Sequence, residues 1–520
     1  MEKLDSSDDP RYSYGITINV SSTQYPVVTE VANQLGWTVS IDSEDQDCDI
    51  YWQDCALASE SLSKFKSFQR INHFPGMYAV ARKDHLGKNL KAMKNMFPGH
   101  FNYFPPTWVL PRDFNDLKSQ FNNKRSRTYI CKPEASCQGR GIFLTRRLED
   151  IPEKCVVQRY LHKPYLLEGL KFDLRVYVLV AGCDPLRLFI HKEGLVRLAT
   201  EPYVFPSSSN LNDMCMHLTN YAINKNNPKF EFNSNESEDF KGHKRSLTSF
   251  FKHLSDEGEN IEELWQQICD IITKTVCIVQ PLLAHLYRSA QANDTTNAMC
   301  FQILGFDIFL DYKLRPHLLE VNHTPSFTTD TPLDSIIKKS VIGDALRLLG
   351  LTETNKSDYY LNHQTHFLNL ATKKPKEIRF LKIEMKEKYN QHKLNIENQF
   401  KGGYSKIYPK EGPNMYEEFM LAARDIWLNN LGIRPKHKEK PPAPPPPPLM
   451  HIQKPSKSPI NKTNRKKDKT SPIKSRSIKA LCDPIIKPRL RLPVLRASNG
   501  AFIQPKMFDF SEPRIILPKD

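Results

Sequence analysis

No apolar run in this 520-residue chain approaches the ~20 residues a helix needs to span a bilayer. The best candidate, VYVLVAGCDPLRLFI, is too short and is broken by Asp184 and Arg187. The opening MEKLDSSDDP is acidic and polar, so it reads as neither a signal peptide nor an amphipathic transit sequence. The 11 cysteines are odd in number and contain no CxxC pair, which argues against a disulfide scaffold or a zinc site and for reduced thiols in the cytosol. GxSxG, HExxH and the HRD/DFG pair of kinases are missing as well. The chemistry therefore has no obvious side-chain nucleophile.

Charge is present in quantity, but in one place. Residues 434–520 hold 21 Lys/Arg against 6 Asp/Glu, residues 373–410 hold 11 against 4, and residues 1–372 hold 41 against 44. A near-neutral body thus carries a basic C-terminal third, whose expected partner is polyanionic. The last 87 residues also contain 17 of the 38 prolines, including PPAPPPPPLM, and their composition reads as disorder.

Hydrophobic content of 39% and this length allow about three domains of roughly 150 residues. Short strands and helices are expected over 13–110. Strand signals then dominate 129–200: YICKP, GIFLT, CVVQRYL, KFDLRVYVLVAG and LRLFIHKEGLVRL. A helix is expected over 260–290, followed by a hairpin, FQILGFDIFLD and HLLEVNHTP. Interspersed strands and helices indicate an α+β chain of α/β layers. Further on, KKPKEIRFLKIEMKEKYNQHKLNIENQF and MYEEFMLAARDIWLNN read as helices, with GGYSKIYPKEGP as a loop between them.

The hairpin poses the chemical question. Alternation puts Glu320 and Asn322 on one face of the second strand, with Asp307 on the first. Hard oxygen donors of this kind suit Mg²⁺; the plainer alternative is that Glu320 pairs with a nearby Arg or Lys. In YICKPEASCQGRGIF, Gly139 and Gly141 allow backbone N–H groups to approach phosphates, and Lys132 and Arg140 supply charge. The loop lacks the spacing of a P-loop, and QGRG alone also suits an ordinary hairpin turn. Lys171, Asp173 and Arg175 alternate against Phe172, Leu174 and Val176, a pattern shared by surface strands and by charged groups beside a nucleotide. MHLTNYAINK adds His217, Thr219 and Asn220, either helix-capping or ligand-binding.

Taken in order, INHFPGM, RKDHLGKNL, CKPEASCQGRGIF, KFDLRVYVLV, EGLVRLAT, MHLTNYAINK and LGFDIFLD…LLEVNHTPSF resemble the tubulin–tyrosine ligase-like family, in particular its chain-elongating polyglutamylase branch. The match runs from about residue 14 to 350. The resemblance implies an ATP-grasp fold: a disordered stretch at 1–12, an N-terminal α/β domain at 13–110, a central domain at 111–180 and a C-terminal domain at 181–355. A cationic microtubule-binding helical segment at 370–433 and a disordered tail at 434–520 follow. It implies ATP held by Lys132, Gln138, Arg140, Gly141, Gln158, Arg159, Tyr160, Leu161, Lys171, Phe172, Asp173, Thr219 and Asn220. Mg²⁺ would be held by Asp307, Glu320 and Asn322, and free L-glutamate by Arg197, Tyr221, Ala222, Lys244 and His323, with Arg175 and Glu320 catalytic. Two positions depart from the family pattern: Ala222 stands where serine is usual, and Leu198 where an aromatic is common.

The implied reaction is ATP-dependent joining of glutamate to a carboxylate of the tubulin tail by a monomeric enzyme. The expected location is the cytoplasm and cytoskeleton, extending to the cilium or basal body. The polyproline run suits SH3 or WW modules. Alternatives are a glycine ligase of the same fold and a catalytically silent microtubule binder. Nucleic acid is disfavoured, because the basic tail lacks interleaved aromatics.

Overall fold

A computed structural model describes residues 15–433, apart from 123–126, 135–138, 234–239, 293, 295, 358, 361–374, 411 and 413–414. Gln138, the 1–12 stretch and the 434–520 tail lie outside the described residues. The chain opens with β1 (Thr17–Ser22), α1 (Pro26–Gln34), β2 (Thr38–Ser40), β3 (Ile50–Gln53), α2 (Ser59–Leu62) and β4 (Arg70–Ile71). These strands form a parallel sheet in the order β2-β1-β3-β4. Helices α3 (Tyr78–Ala81) and α4 (Lys83–Met96) lead to β5 (Thr107–Val109), α5 (Phe114–Phe121), β6 (Tyr129–Lys132), β7 (Phe143–Thr145) and β8 (Val156–Arg159). Here the sheet is antiparallel, in the order β5-β8-β6-β7.

The largest sheet is built from β9 (Leu166–Leu167), β10 (Leu170–Cys183) and β11 (Leu186–Pro202). After short helices α6 (Met214–His217) and α7 (Tyr221–Asn224) it adds β12 (Lys244–Ser246), then, past α8 (Leu247–Asp256) and α9 (Ile261–Ala290), the hairpin β13 (Gln302–Leu310) and β14 (Pro316–Asn322). Its order is β12-β11-β10-β13-β14. β10 runs unbroken across position 180, so the border expected there falls inside one strand. Leu174, Val176, Val178 and Val180 of β10 join the core that contains α9. Tyr177, Leu179 and Ala181 on the other face join a second core with α1 and α10 (Pro332–Leu348). α9 alone among the described residues is long and apolar enough to cross a membrane, and most of its apolar window is buried inside the fold.

The basic region corrects one expectation. α11 (Pro375–Gln399) and α12 (Tyr416–Asn430) are helical as read, but GGYSKIYP contains a strand, β15 (Tyr404–Tyr408), and not a loop. β15 pairs antiparallel with β11 at Leu188–His191. The pattern Tyr404, Ile407, Tyr408 is too short to show a clear period; the free edge of β11 supplies the partner that makes it a strand. The edge is fitted for it. Asp344 accepts the Gly403 N–H at 2.8 Å, and a Cβ on Gly403 would sit 2.4 Å from His191 Nε2. α12 packs on α9, with Tyr416 donating to Asp270 at 2.8 Å and Phe419 set against Phe97 and Phe101. The segment is part of the core, so deleting it removes more than charge.

Candidate active site

Strand register assembles one row of charged side chains from five strands. Lys244 of β12 lies opposite Arg197 of β11, and Arg197 opposite Asp173 of β10. Arg175, two residues on, lies opposite Asp307 of β13, which lies opposite Glu320 of β14. Because side chains alternate, these residues share a face. The same face of β10 becomes apolar at Tyr177, Leu179 and Ala181, where it meets α10. KFDLRVYV is thus no surface strand: Lys171 and Asp173 are buried.

The centre of the row is tightly paired. Arg175 donates to Asp307 at 2.6 and 3.2 Å, and Arg197 grips Asp173 at 2.8 and 2.6 Å while reaching Asp307 at 2.8 Å. Burial alone would raise the Asp307 pKa; the two guanidiniums outweigh it and hold the carboxyl below the usual range. Gly305 makes room for the first of them, since a Cβ there would lie 3.1 Å from Arg175 Cδ.

Beside this row opens a cleft between the two antiparallel sheets. Lys132, Gln158, Arg159, Tyr160, Leu161, Lys171, Asp173, Thr219, Asn220, Asp307 and Glu320 all line it. Lys132 Nζ donates to Gln158 at 3.0 Å. Lys171 Nζ donates to the His217 carbonyl at 2.6 Å and the Tyr160 hydroxyl at 3.1 Å. Among the described residues neither amine has a carboxylate within ion-pair distance. Burial lowers the pKa of both, that of Lys171 to about 7. Two buried amines with carboxylates near them but none in ion-pair contact suit an anionic ligand, and the apolar walls Ile130, Ile142, Leu218 and Phe309 suit a flat ring.

The Gly139–Arg140–Gly141 turn closes on this site from above α7. Both glycines have positive φ, and a Cβ on Gly139 would meet Ile223 at 2.6 Å and Asn220 at 3.2 Å. At the row's end Glu320 lies 3.9 Å from Lys83, and Asn322 Nδ2 approaches Asp307 Oδ2 at 3.5 Å. Among the described residues no three His, Cys, Asp or Glu side chains cluster; a hard-metal set here takes its third donor from the Asn322 amide. Two carboxylates and an amide fit Mg²⁺ in donor chemistry. At the other end, Tyr221, Ala222 and Lys244 gather, with Lys244 Nζ 3.5 Å from the centroid of the Tyr221 ring.

Three expected residues are placed differently. Phe172 alternates to the opposite face and packs against Phe250 and Tyr165 in the core. Arg159 reaches the cleft, but its guanidinium lies 5.2 Å over Tyr129, which does not line it. His323 lies just past β14 beside His73, in a separate hollow with Trp52, Asp54 and Thr324. Conversely, Lys83, Phe309 and Ile130 belong to the site and were not singled out. Phe309 follows Asp307 by two residues and Ile130 precedes Lys132 by two, so the period-2 rule would have found both.

The tubulin-tyrosine ligase family model matches residues 61–358. A protein of Tetrahymena thermophila named "Probable beta-tubulin polyglutamylase" is 46% identical over 435 residues, covering 82% of this chain and 36% of that protein. Human tubulin polyglutamylase TTLL6 is 40% identical over 431 residues, 81% of this chain and 47% of its own. Mouse tubulin polyglutamylase TTLL13 is 41% identical over 411 residues, 78% and 50% respectively. The chain spans about half, or less, of the length of these relatives.

Proposed function

The chain belongs to the tubulin-tyrosine ligase family, and from this we propose that it is an ATP-dependent tubulin polyglutamylase acting on microtubules in the cytoplasm. The observation that carries the reading is the charged row with the cleft beside it: two buried amines in the cleft, an oxygen-donor set at one end of the row, and a cationic wall at the other. The relatives' names supply the substrate. ATP would supply the phosphoryl group that makes a tail carboxylate electrophilic, with Mg²⁺ offsetting its charge.

Each part of the row then has a task. Lys132 and Lys171 hold phosphate oxygens, with the 139–141 turn, Gln158 to Leu161, Thr219 and Asn220 around the rest of the nucleotide. Asp307, Glu320 and Asn322 hold the metal. Arg175 faces the developing charge of the activated carboxylate. Arg197, Tyr221 and Lys244 orient free glutamate so that its amine attacks; phosphate leaves and the amine loses its proton. No protein nucleophile is needed, because positioning and charge neutralisation perform the catalysis. The basic surplus at 373–410 supports a salt-sensitive attachment to the acidic microtubule surface.

The test is intact-mass spectrometry of microtubules incubated with the protein, ATP, Mg²⁺ and either glutamate or glycine. A ladder of glutamate additions is expected with glutamate alone. A glycine ladder would overturn the donor, and no ladder alongside normal co-sedimentation would leave a silent binder.

Lys171 gives a separate check. With its pKa near 7, the amine is mostly neutral at about pH 8, and an arriving phosphate favours its protonated form. ATP binding should therefore take up close to one proton at about pH 8 and little at about pH 6. Calorimetry in two buffers of different ionisation enthalpy reads this directly. Lys171→Met should abolish the uptake; an unchanged uptake would remove Lys171 from the phosphate site.

A further inference from the structure

One buried carboxylate stands just behind the donor wall. Asp334, in the first turn of α10, is fully buried. Its Oδ2 lies 2.6 Å from Lys244 Nζ and its Oδ1 lies 3.0 Å from Lys338 Nζ. The helix start fixes it. Thr331 Oγ1 accepts the Asp334 N–H at 3.1 Å and donates back to Oδ2 at 3.0 Å. The amines are fixed as well: Lys244 lies against the Tyr221 ring, and Lys338 donates to the Thr328 carbonyl.

The charge balance on this wall is uneven. Asp173 and Asp307 match Arg175 and Arg197 one for one. Asp334 matches only one of Lys244 and Lys338, both buried. Asp330, which accepts the Tyr221 hydroxyl at 2.8 Å, is exposed. Among the buried groups the wall thus sets two amines against one carboxylate, with the exposed Asp330 a weaker second counter-charge to both, and a buried cation with only partial counter-charge is costly. Burial lowers the pKa of Lys244 and of Lys338, and Asp334 is the main opposing influence on each.

We infer that Asp334 is a positioning residue that presents Lys244 and Lys338, two buried amines on one buried carboxylate, to the side-chain carboxylate of the incoming amino acid. This rests on the glutamate-donor reading. A glutamate side chain brings a second negative charge directly to the buried pair; glycine has none to bring. The inference deepens the donor assignment in two ways: it adds Lys338 to the pocket, and it makes Asp334 the group that keeps both amines protonated. Lys338 opposes protonation of Lys244, and Arg175 opposes that of Lys338, which is why a carboxylate is needed there.

The experiment uses the full chain, ATP, Mg²⁺ and microtubules, and begins with the unmodified protein. If that protein adds no glutamate, the donor reading itself has failed, whatever Asp334 does. Given glutamate addition, Asp334→Asn should raise the KM for glutamate roughly tenfold at about pH 8, the scale of one charge-assisted contact. The KM for ATP should stay unchanged. Removing the carboxylate lowers the amines' pKa, so the defect should shrink as the pH falls toward about 6, and Asp334→Glu should recover most of the loss. Lys338→Met, which leaves Asp334 paired with Lys244, should raise the glutamate KM to a similar degree and stands in if Asp334→Asn does not fold. Equal changes in glutamate and ATP constants with no pH dependence would reduce Asp334 to a structural role. An unchanged glutamate KM in Lys338→Met would overturn the paired-amine assignment.

Discussion

Glu320→Gln is expected to abolish glutamate addition while leaving the fold and microtubule binding intact. Glu320 is only half-buried, and among the described residues its ion-pair contact, Lys83, lies at 3.9 Å, a weak pair worth at most about 1 kcal/mol. The amide fits the same space and keeps one acceptor oxygen, so Tm should change little. What it loses is the negative charge facing the cleft. As a carboxylate, Glu320 offers a hard anionic donor directly across the β13–β14 ladder from Asp307, and a divalent cation depends on that charge. A drop of at least about a thousandfold in rate is expected, in line with the loss of a main electrostatic stabiliser. The checks are the mass ladder, thermal unfolding and co-sedimentation on the same preparation. A ladder within about tenfold of the unmodified protein would show that Glu320 is a bystander paired with Lys83.

Most of this site could be read from the chain, and the reasons are specific. Glu320 and Asn322 stood out because polar residues in an otherwise apolar strand violate the burial pattern, and the hairpin turn makes Asp307 their neighbour. Lys171, Asp173 and Arg175 were legible as one face of a strand. Whether that face met water was not legible, because an edge strand and a central strand can carry the same alternation. Only the pairing of β10 with both β11 and β13 decides it. Phe172 was drawn toward the cleft by its neighbours in the motif, although its own alternation points the other way. His323 sits where the chain leaves β14, and periodicity stops predicting direction there. β15 escaped for a different reason: five residues become a strand only because β11 offers an edge more than two hundred residues earlier. The Asp334 pair escaped similarly, since Lys244 and Asp334 are 90 residues apart and nothing local announces the contact.

Asp307→Asn should differ from Glu320→Gln in stability, although the two residues face each other across one ladder. Asp307 is 2% exposed and takes hydrogen bonds from two guanidiniums. Replacing it by an amide removes the charge that both arginines share. Arg197 keeps Asp173, held at 2.8 and 2.6 Å; Arg175 keeps no carboxylate among the described residues. An orphaned cation in the core costs about 3–5 kcal/mol, so Tm should fall by several degrees and activity should vanish with it. A loss of activity that follows from instability must be separated from a loss of chemistry, and the second site does this. In Arg175→Met with Asp307→Asn the stranded charge is gone, so the double variant should be more stable than Asp307→Asn alone, with a clear favourable coupling in the cycle. It should remain inactive, because neither the oxygen donor nor the facing guanidinium is restored. The pH dependence carries the same signature. The folded-state pKa of Asp307 is depressed, so its contribution to stability is present at neutral pH and is lost on acidification below the ordinary carboxylate range. Asp307→Asn should therefore flatten the acid limb of the stability curve. If the double variant proved no more stable than Asp307→Asn alone, Arg175 would not depend on this carboxylate, and the charged row would lose its centre.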